Sequence, residues 1–200
     1  MVLGYADPPY PGLAHLYKDQ PDFAGEVDHV KLIARLETEF DGWVLHTAST
    51  AISTLASLIP PRARWGAWVK SFAAFKKGVR PAYAWEPVIF KPMRKMSEDY
   101  SGRFVQRDWI EEPMTMRRGF TGAKPEAVCH WAFEIVGATP EDELIDLFPG
   151  SGAVTRAWRT WRPQLSFQWE FPASSDPSIP CVSSQDSDGL TSGECISERS

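Results

Sequence analysis

The sequence predicts an α/β protein with one folded domain. Apolar runs of strand length alternate with stretches in which apolar residues recur at helical spacing. The clearest strands are 2–6 and 143–148, and each runs directly into a turn with a distinctive motif. The chain has 200 residues, of which 43% are hydrophobic, and it contains nine tryptophans. That composition suffices for a sizeable core.

The first strand ends in Asp7-Pro8-Pro9-Tyr10. Open α/β sheets bind their ligands at the carboxyl ends of strands. Two consecutive prolines exclude a helix and fix φ, so Asp7, the Pro8 carbonyl and Tyr10 are held in one rigid arrangement. Such a clamp suits an exocyclic amine, because two acceptors can each take one N–H while an aromatic ring stacks on the base. The same tetrapeptide also occurs by chance in turns.

Between this motif and the second one, helices and strands alternate. Helices are predicted over 30–40, with Asp28 as the N-cap, and over 49–59, where two prolines end the pattern. Strands are predicted, in order, at 43–47, 64–70 and 87–90. We expect the last two of these strands to pair as an antiparallel edge of the sheet.

The second motif is the strand 143–148, which contains Asp146 and runs into Phe148-Pro149-Gly150-Ser151-Gly152 before a segment with helical spacing. Glycines let the backbone approach a ligand closely, and the N-terminus of a helix offers N–H groups to an anion. A further predicted strand ends in Glu170, 24 residues after Asp146. Nucleotide-binding folds place an acidic residue at about this distance, where it hydrogen-bonds ribose hydroxyls.

A third motif, 121–126, contains Lys124-Pro125 and precedes a predicted helix over 127–136. Together the three motifs resemble those of the S-adenosylmethionine-dependent amino-methyltransferases of DNA, and most closely those of the small phage DNA methylases. In that family the tetrapeptide is catalytic, Phe-x-Gly-x-Gly is the cofactor loop and Lys-Pro precedes it. The order found here, with the catalytic strand first, is the circularly permuted arrangement of part of that family.

The resemblance implies a Rossmann-like class I methyltransferase sheet, circularly permuted and truncated at its C-terminal end. It implies methyl transfer to the exocyclic amino group of a DNA base, with N6 of adenine favoured over N4 of cytosine. The implied catalytic residues are Asp7, Pro8, Pro9 and Tyr10. The implied residues for S-adenosyl-L-methionine are Lys124, Pro125, Asp146, Phe148, Gly150, Ser151, Gly152 and Glu170.

The same resemblance divides the chain. Residues 1–170 form the methyltransferase domain, with a catalytic half 1–92, a loop region for target recognition 93–120 and a cofactor half 121–170. Residues 171–200, rich in Ser, Asp and Pro, are expected to be a disordered acidic tail. Because the chain after Glu170 is short, we expect the pocket for the cofactor adenine to be open, completed by a second protomer, or impaired.

Charge is distributed unevenly along the chain. The net charge is −5, yet residues 62–118 carry 13 basic and 6 acidic side chains, a net +7. The aromatic residues interleaved with these charges are Trp65, Trp68, Phe72, Tyr83, Trp85 and Trp109. Phosphate contacts combined with stacking surfaces favour DNA as a partner. The alternative is that the charges are solvated and the aromatic residues belong to the core.

Several classes of protein are disfavoured by the sequence. No apolar run approaches the length of a membrane span, and no signal peptide is evident. The three cysteines lack the spacing of a metal site. We therefore expect a cytoplasmic protein without a metal, located in the cytoplasm of the bacterial host if a phage encodes it.

Two alternatives to a DNA methyltransferase remain at this point. The same clamp serves methylation of an RNA base or of a glutamine amide in a protein. A noncatalytic nucleic-acid-binding module with a degenerate cofactor site would also keep the basic middle segment.

Overall fold

A six-stranded mixed sheet forms the centre of the protein, seen in a computed structural model that describes residues 1–18, 25–71, 78, 80–94, 106–114 and 123–162. The strands are β1 (Val2–Ala6), β2 (Gly42–His46), β3 (Arg64–Val69), β4 (Trp85–Lys91), β5 (Trp109–Glu111) and β6 (Glu143–Asp146). The helices are α1 (His29–Glu39), α2 (Ile52–Leu55), α3 (Glu126–Ile135) and α4 (Ala153–Thr160), with 3-10 turns at Ala14–Tyr17 and Ser49–Ala51.

The strand order across the sheet is β5-β3-β4-β2-β1-β6. β1 is parallel to both of its neighbours, β2 and β6. β4 is antiparallel to β2 and β3, whereas β5 is parallel to β3. The carboxyl ends of five strands and the amino end of β4 therefore meet at one edge of the sheet, which we call the carboxyl edge. It carries residues 6–7, 46–47, 69–70, 85–86, 111–112 and 146–147.

Both faces of the central strands are buried. On one face, Tyr5 and Val44 pack into a cluster that includes Val128 and Phe133 of α3. On the other face, Leu45 packs in a cluster with residues of α1 and α2. The near-continuous apolar sequences of β1 and β2 are typical of strands covered on both sides. The prediction of an α/β fold is confirmed.

Helix α1 begins where the sequence predicts. The Lys31 backbone N–H donates to Asp28 Oδ1 over 3.1 Å, so Asp28 is the N-cap. Leu32 and Leu36 are buried on the same side of the helix. The helix ends before Phe40, which is 8% exposed and packs in the same cluster as these leucines.

Three predicted elements differ from the structure. The helix predicted over 49–59 is one 3-10 turn and one turn of α-helix, which ends at Leu55. The strand predicted over 143–148 ends at Asp146, whose Oδ1 accepts the Phe148 backbone N–H over 3.2 Å and so supports a turn. β5 lies within the predicted loop region 93–120. The β3–β4 pair is antiparallel, as predicted, but β5 and not this pair forms the sheet edge.

Some sequence predictions fall outside the described residues. They are Phe72, most of the loop region 93–120 (residues 95–105 and 115–120), the start of the third motif at Thr121 and Gly122, the strand 165–169, Glu170 and the tail 171–200. None of the helices in the described ranges is long and apolar enough to cross a membrane.

Replacing Gly42 with Ala tests the packing at the start of β2. A Cβ there would lie 2.6 Å from the Lys91 carbonyl oxygen and would also overlap Met93. Because a backbone atom cannot move aside cheaply, we expect a loss of about 1–3 kcal/mol in the free energy of unfolding, measured by urea denaturation. Val30→Ala, at a side chain 60% exposed on α1, is the control and should change it by less than about 0.5 kcal/mol. Equal effects of the two substitutions would contradict this packing.

Candidate active site

Three charged side chains from distant parts of the chain meet at the carboxyl edge. Asp7 follows β1, Glu86 lies at the start of β4, and Lys124 precedes α3. Their meeting depends on the direction of β4, because an antiparallel strand places its amino end beside the carboxyl ends of its neighbours. The first and third sequence motifs are thereby brought into contact.

The Lys124 ammonium is at the centre of this group. Its Nζ lies 2.9 Å from Asp7 Oδ1 and donates to the Tyr10 hydroxyl oxygen over 3.1 Å. Glu86 Oε2 lies 3.4 Å from the same Nζ. The Lys124 side chain is only 5% exposed, so these three oxygens stand in for water around an ammonium that has three protons to donate.

Glu86 has two further partners. The Tyr10 hydroxyl donates to Glu86 Oε2 over 2.7 Å, and Lys70 Nζ lies 2.5 Å from Glu86 Oε1. Sequence reasoning missed both Glu86 and Lys70 as site residues. The available signal was the charge of Glu86, directly before the predicted buried strand 87–90. The partners of Glu86 follow from the strand order, which the sequence does not show.

The charges of this site are strongly coupled. Burial would raise the pKa of Glu86, but the ammonium groups of Lys124 and Lys70 outweigh burial and lower it to about 2. Burial raises the pKa of Asp7, and the attraction of Lys124 only partly opposes this. For Lys124, burial alone would lower the pKa, whereas Asp7, Tyr10 and Glu86 raise it well above its usual value. The lysine is therefore a cation at neutral pH, with Glu86 as a firmly ionised partner.

Aromatic rings surround the two lysines. Lys124 Nζ lies 5.5 Å from the ring centre of Tyr10 and 5.5 Å from that of Trp68. Lys70 Nζ lies 4.9 Å from the Trp68 ring centre. Trp68 is 3% exposed, so this member of the predicted stacking surface belongs to the core and interacts with the buried lysines through its ring face.

Other aromatic residues of the basic middle segment reach the surface. Tyr83, Trp85 and Trp109 are 39%, 40% and 42% exposed. The Arg107 guanidinium lies 5.4 Å from the ring centre of Trp109. The structure therefore divides the predicted cluster into a buried part beside the site and an exposed part on β4, β5 and the chain before β4.

A neutral pair lies behind Asp7 on the two central strands. The Tyr5 hydroxyl and His46 Nε2 are 2.7 Å apart and fully buried. Burial lowers the pKa of His46 well below its usual value, and the nearby Lys124 lowers it further. His46 is therefore uncharged at neutral pH, so it does not add a positive charge beside Lys124.

The glycine motif forms a tight turn between β6 and α4. Gly150 and Gly152 have φ values of +42° and +70°, which side-chain-bearing residues rarely adopt. The Gly152 N–H donates to the Pro149 carbonyl over 2.6 Å, and no side chain among the described residues caps α4. The first-turn N–H groups of α4 are thus available to an anionic ligand.

Asp146 lies beside this turn. Its Oδ1 accepts the Phe148 N–H and its Oδ2 accepts the Thr155 hydroxyl over 3.3 Å. Burial raises the pKa of Asp146, and no cationic side chain pairs with it in the described ranges. Asp146 is paired in register with Tyr5 of β1, two residues before Asp7. The clamp and the glycine turn therefore leave adjacent strands of the sheet.

The other predicted site residues have local roles in the structure. Pro125 is the N-cap residue of α3, and its carbonyl accepts the Cys129 N–H over 3.2 Å. The Ser151 carbonyl accepts a hydrogen bond from Arg156 over 2.6 Å. Among the side chains that the structure describes, no group of three or more His, Cys, Asp or Glu residues could hold a metal ion.

Comparison with solved structures shows a shared fold. The crystal structure of an M1.HpyAVI–SAM complex is similar with a TM-score of 0.53 and 16% identity, over 79% of this chain and 76% of that chain. A crystal structure of M1.HpyAVI has a TM-score of 0.49 and 18% identity, over 78% and 75% of the two chains. No protein-family profile and no curated protein matches the sequence. At such low identity the likeness shows the fold.

Lowering the pH tests the charge of Glu86. A carboxylate whose pKa falls from 4.5 to about 2 on folding stabilises the protein fully above pH 4.5 and loses this effect as the pH falls to about 2. The difference in the free energy of unfolding between the wild type and Glu86→Gln should therefore shrink by on the order of 3 kcal/mol between neutral pH and about pH 2. Urea unfolding followed by tryptophan fluorescence measures it. A difference that stays constant over this range would contradict the assignment.

Proposed function

We propose that this protein transfers a methyl group from S-adenosylmethionine to the exocyclic amino group of a base in DNA, with N6 of adenine as the target. The observation that carries this proposal is the adjacency of the two motifs. The Asp7 clamp leaves β1 and the glycine turn leaves β6, and these strands are parallel neighbours. The fold shared with the M1.HpyAVI–SAM complex supports it.

The residues at the glycine turn fit the methionine part of S-adenosylmethionine. The uncapped N-terminus of α4 suits its carboxylate, and Asp146, which lacks a cationic partner among the described residues, suits its ammonium. Phe148, Gly150, Ser151 and Gly152 shape this turn. Glu170, which we assign to the ribose hydroxyls, lies outside the described residues. The cofactor supplies an electrophilic methyl group at this end of the sheet.

The clamp explains how a poor nucleophile reacts. The target base leaves the duplex, stacks on Tyr10 and donates its two amino hydrogens to Asp7 and the Pro8 carbonyl. This draws the nitrogen toward tetrahedral geometry and directs its lone pair at the methyl carbon. The new N–C bond forms as the C–S bond breaks, and the bonding pair of that bond stays on sulfur. The methylated nitrogen is then cationic and loses one proton.

The permuted order of motifs is part of the proposal. DNA is the proposed partner, because exposed Trp85 and Trp109 offer stacking surfaces and Arg107 lies beside one of them. Target recognition is assigned to 93–120, and a second protomer is the proposed means of completing the adenine pocket. An RNA base or a glutamine amide is the alternative acceptor, because Asp7 and the Pro8 carbonyl contact only an amino group. A noncatalytic module would bind DNA without transferring a methyl group.

Removing the Asp7 carboxylate should abolish turnover. Asp7→Ala removes one of the two acceptors of the clamp, so we expect the rate of labelled methyl transfer to DNA to fall by at least about 100-fold. Calorimetry should show nearly unchanged affinity for S-adenosylmethionine, since the glycine turn is intact. Glu39→Ala, which removes a half-exposed carboxylate from α1, is the control and should keep wild-type activity. Activity retained by Asp7→Ala would overturn the catalytic assignment.

Replacing Gly152 with Ala should weaken cofactor binding. The φ of +70° strains any side chain, and the new Cβ would lie 3.1 Å from Arg156 Nη1 at the turn. We expect the dissociation constant for S-adenosylmethionine to rise by about tenfold. Gly137→Ala is the matched control, because its φ is +71° but the nearest atom to its Cβ is 3.7 Å away, and Gly137 follows the end of α3 opposite to Lys124. Gly137→Ala should lower the free energy of unfolding without changing the affinity for S-adenosylmethionine. A similar change in that affinity in both variants would contradict the assignment.

A further inference from the structure

The Lys124 ammonium lies within hydrogen-bonding distance of the acceptor that the proposed function assigns to the target amine. Its Nζ is 2.9 Å from Asp7 Oδ1 and 3.1 Å from the Tyr10 hydroxyl. A base amine that donates to the same carboxylate needs a nitrogen at a similar distance. An amine that donates to Oδ1 would therefore compete with the lysine for this oxygen of Asp7.

A second carboxylate is close enough to receive this lysine. Glu86 Oε2 lies 3.4 Å from Lys124 Nζ, longer than an optimal charged hydrogen bond, so a shift of well under about 1 Å would bring the two atoms into full contact. Lys70, 2.5 Å from Oε1, keeps Glu86 in place and ionised. The ammonium can exchange Asp7 for Glu86 without leaving the protein interior.

We propose that Lys124 is a placeholder for the target amine, and that Glu86 receives its ammonium when the amine enters the clamp. This inference rests on the proposed function. Lys124 and Glu86 are positioning residues here, because they act by occupying and then releasing Asp7. Without a receiver, the incoming amine would leave a buried ammonium without its main carboxylate partner, and such a state is strongly disfavoured.

The charged and titratable groups around Asp7 set the sign of the pH dependence. Those in the described ranges are Tyr5 on β1, Tyr10 after it, His46 on β2, Lys70 after β3, Glu86 on β4, Lys124 and Cys129 at α3, and Asp146 on β6. Lys124 lowers the pKa of Asp7, whereas Glu86 raises it. Turnover requires the Asp7 carboxylate, so activity is lost as the pH falls through its pKa.

The test compares two single variants with the double variant in DNA methylation assays. Glu86→Gln removes the charge that receives the lysine but keeps an oxygen that can accept the Tyr10 hydroxyl. We expect it to lower kcat/KM for DNA by about tenfold in the wild-type background. In the Lys124→Met background the same substitution should have little further effect, because there is no ammonium to relocate. Affinity for S-adenosylmethionine should be unchanged in Glu86→Gln.

The methylation rate falls at low pH, and we call this part of the plot of rate against pH the acid limb. Its position gives a second measurement. Lys124→Met removes the group that favours the Asp7 carboxylate, so the limb should move to higher pH. Glu86→Gln removes a neighbouring anion, so the limb should move to lower pH. Opposite shifts are what the charges of the two residues beside Asp7 predict, and the comparison of single and double variants tests whether the ammonium moves.

Lys91→Met is the matched control, since Lys91 is 19% exposed, pairs with Glu37 over 3.3 Å and lies at the far end of β4 from Glu86. It should change neither the rate nor the acid limb. If Glu86→Gln lowers kcat/KM as much in the Lys124→Met background as in the wild type, the placeholder inference alone is overturned. The same holds if the two acid limbs move in the same direction. Failure of the wild type to methylate DNA would overturn the proposed function, and this inference with it.

Discussion

The candidate site depends on the contacts of the buried Lys124 ammonium. This ammonium links the turn after β1, the start of β4 and the approach to α3 through contacts with Asp7, Tyr10 and Glu86. Taking an ammonium out of water is unfavourable, and only well-placed carboxylates offset this. Within one small volume, the positive charges of two lysines balance the negative charges of two carboxylates: Lys70, Lys124, Asp7 and Glu86. The loss of any one of the four leaves an unbalanced charge in a poorly solvated place.

The sheet topology makes this balance achievable. Parallel neighbours β1, β2 and β6 end at the carboxyl edge, while the antiparallel β4 begins there. Trp68 pairs with Glu86 in register, and Lys70 follows two residues later on the same side of β3, so its ammonium reaches Glu86 diagonally. The same arrangement puts the glycine turn next to the clamp. One edge thus holds both the cluster of Asp7, Glu86 and Lys124 and the uncapped N-terminus of α4.

The sequence revealed the parts of the site that are local. The double proline, the two glycines and the Asp28 cap each act within a few residues, so a short window of sequence carries their signal. Glu86 and Lys70 could not be found this way, because their partners are set by strand order and by the direction of β4. β5 was missed because three residues are too short to show a period. Lys124 was predicted as a cofactor residue, which stays a prediction, and its contact with Asp7, more than 100 residues away in the chain, could be found only from the fold.

Methylation of an exocyclic amine in DNA is the proposed activity. Nucleoside mass spectrometry tests it on unmethylated duplex DNA that has been incubated with the purified 200-residue chain and labelled S-adenosylmethionine. We expect labelled N6-methyldeoxyadenosine in the digest. Cofactor binding without any methylated deoxynucleoside would contradict the proposed activity and direct attention to RNA or glutamine acceptors, and the lack of cofactor binding would indicate a noncatalytic module.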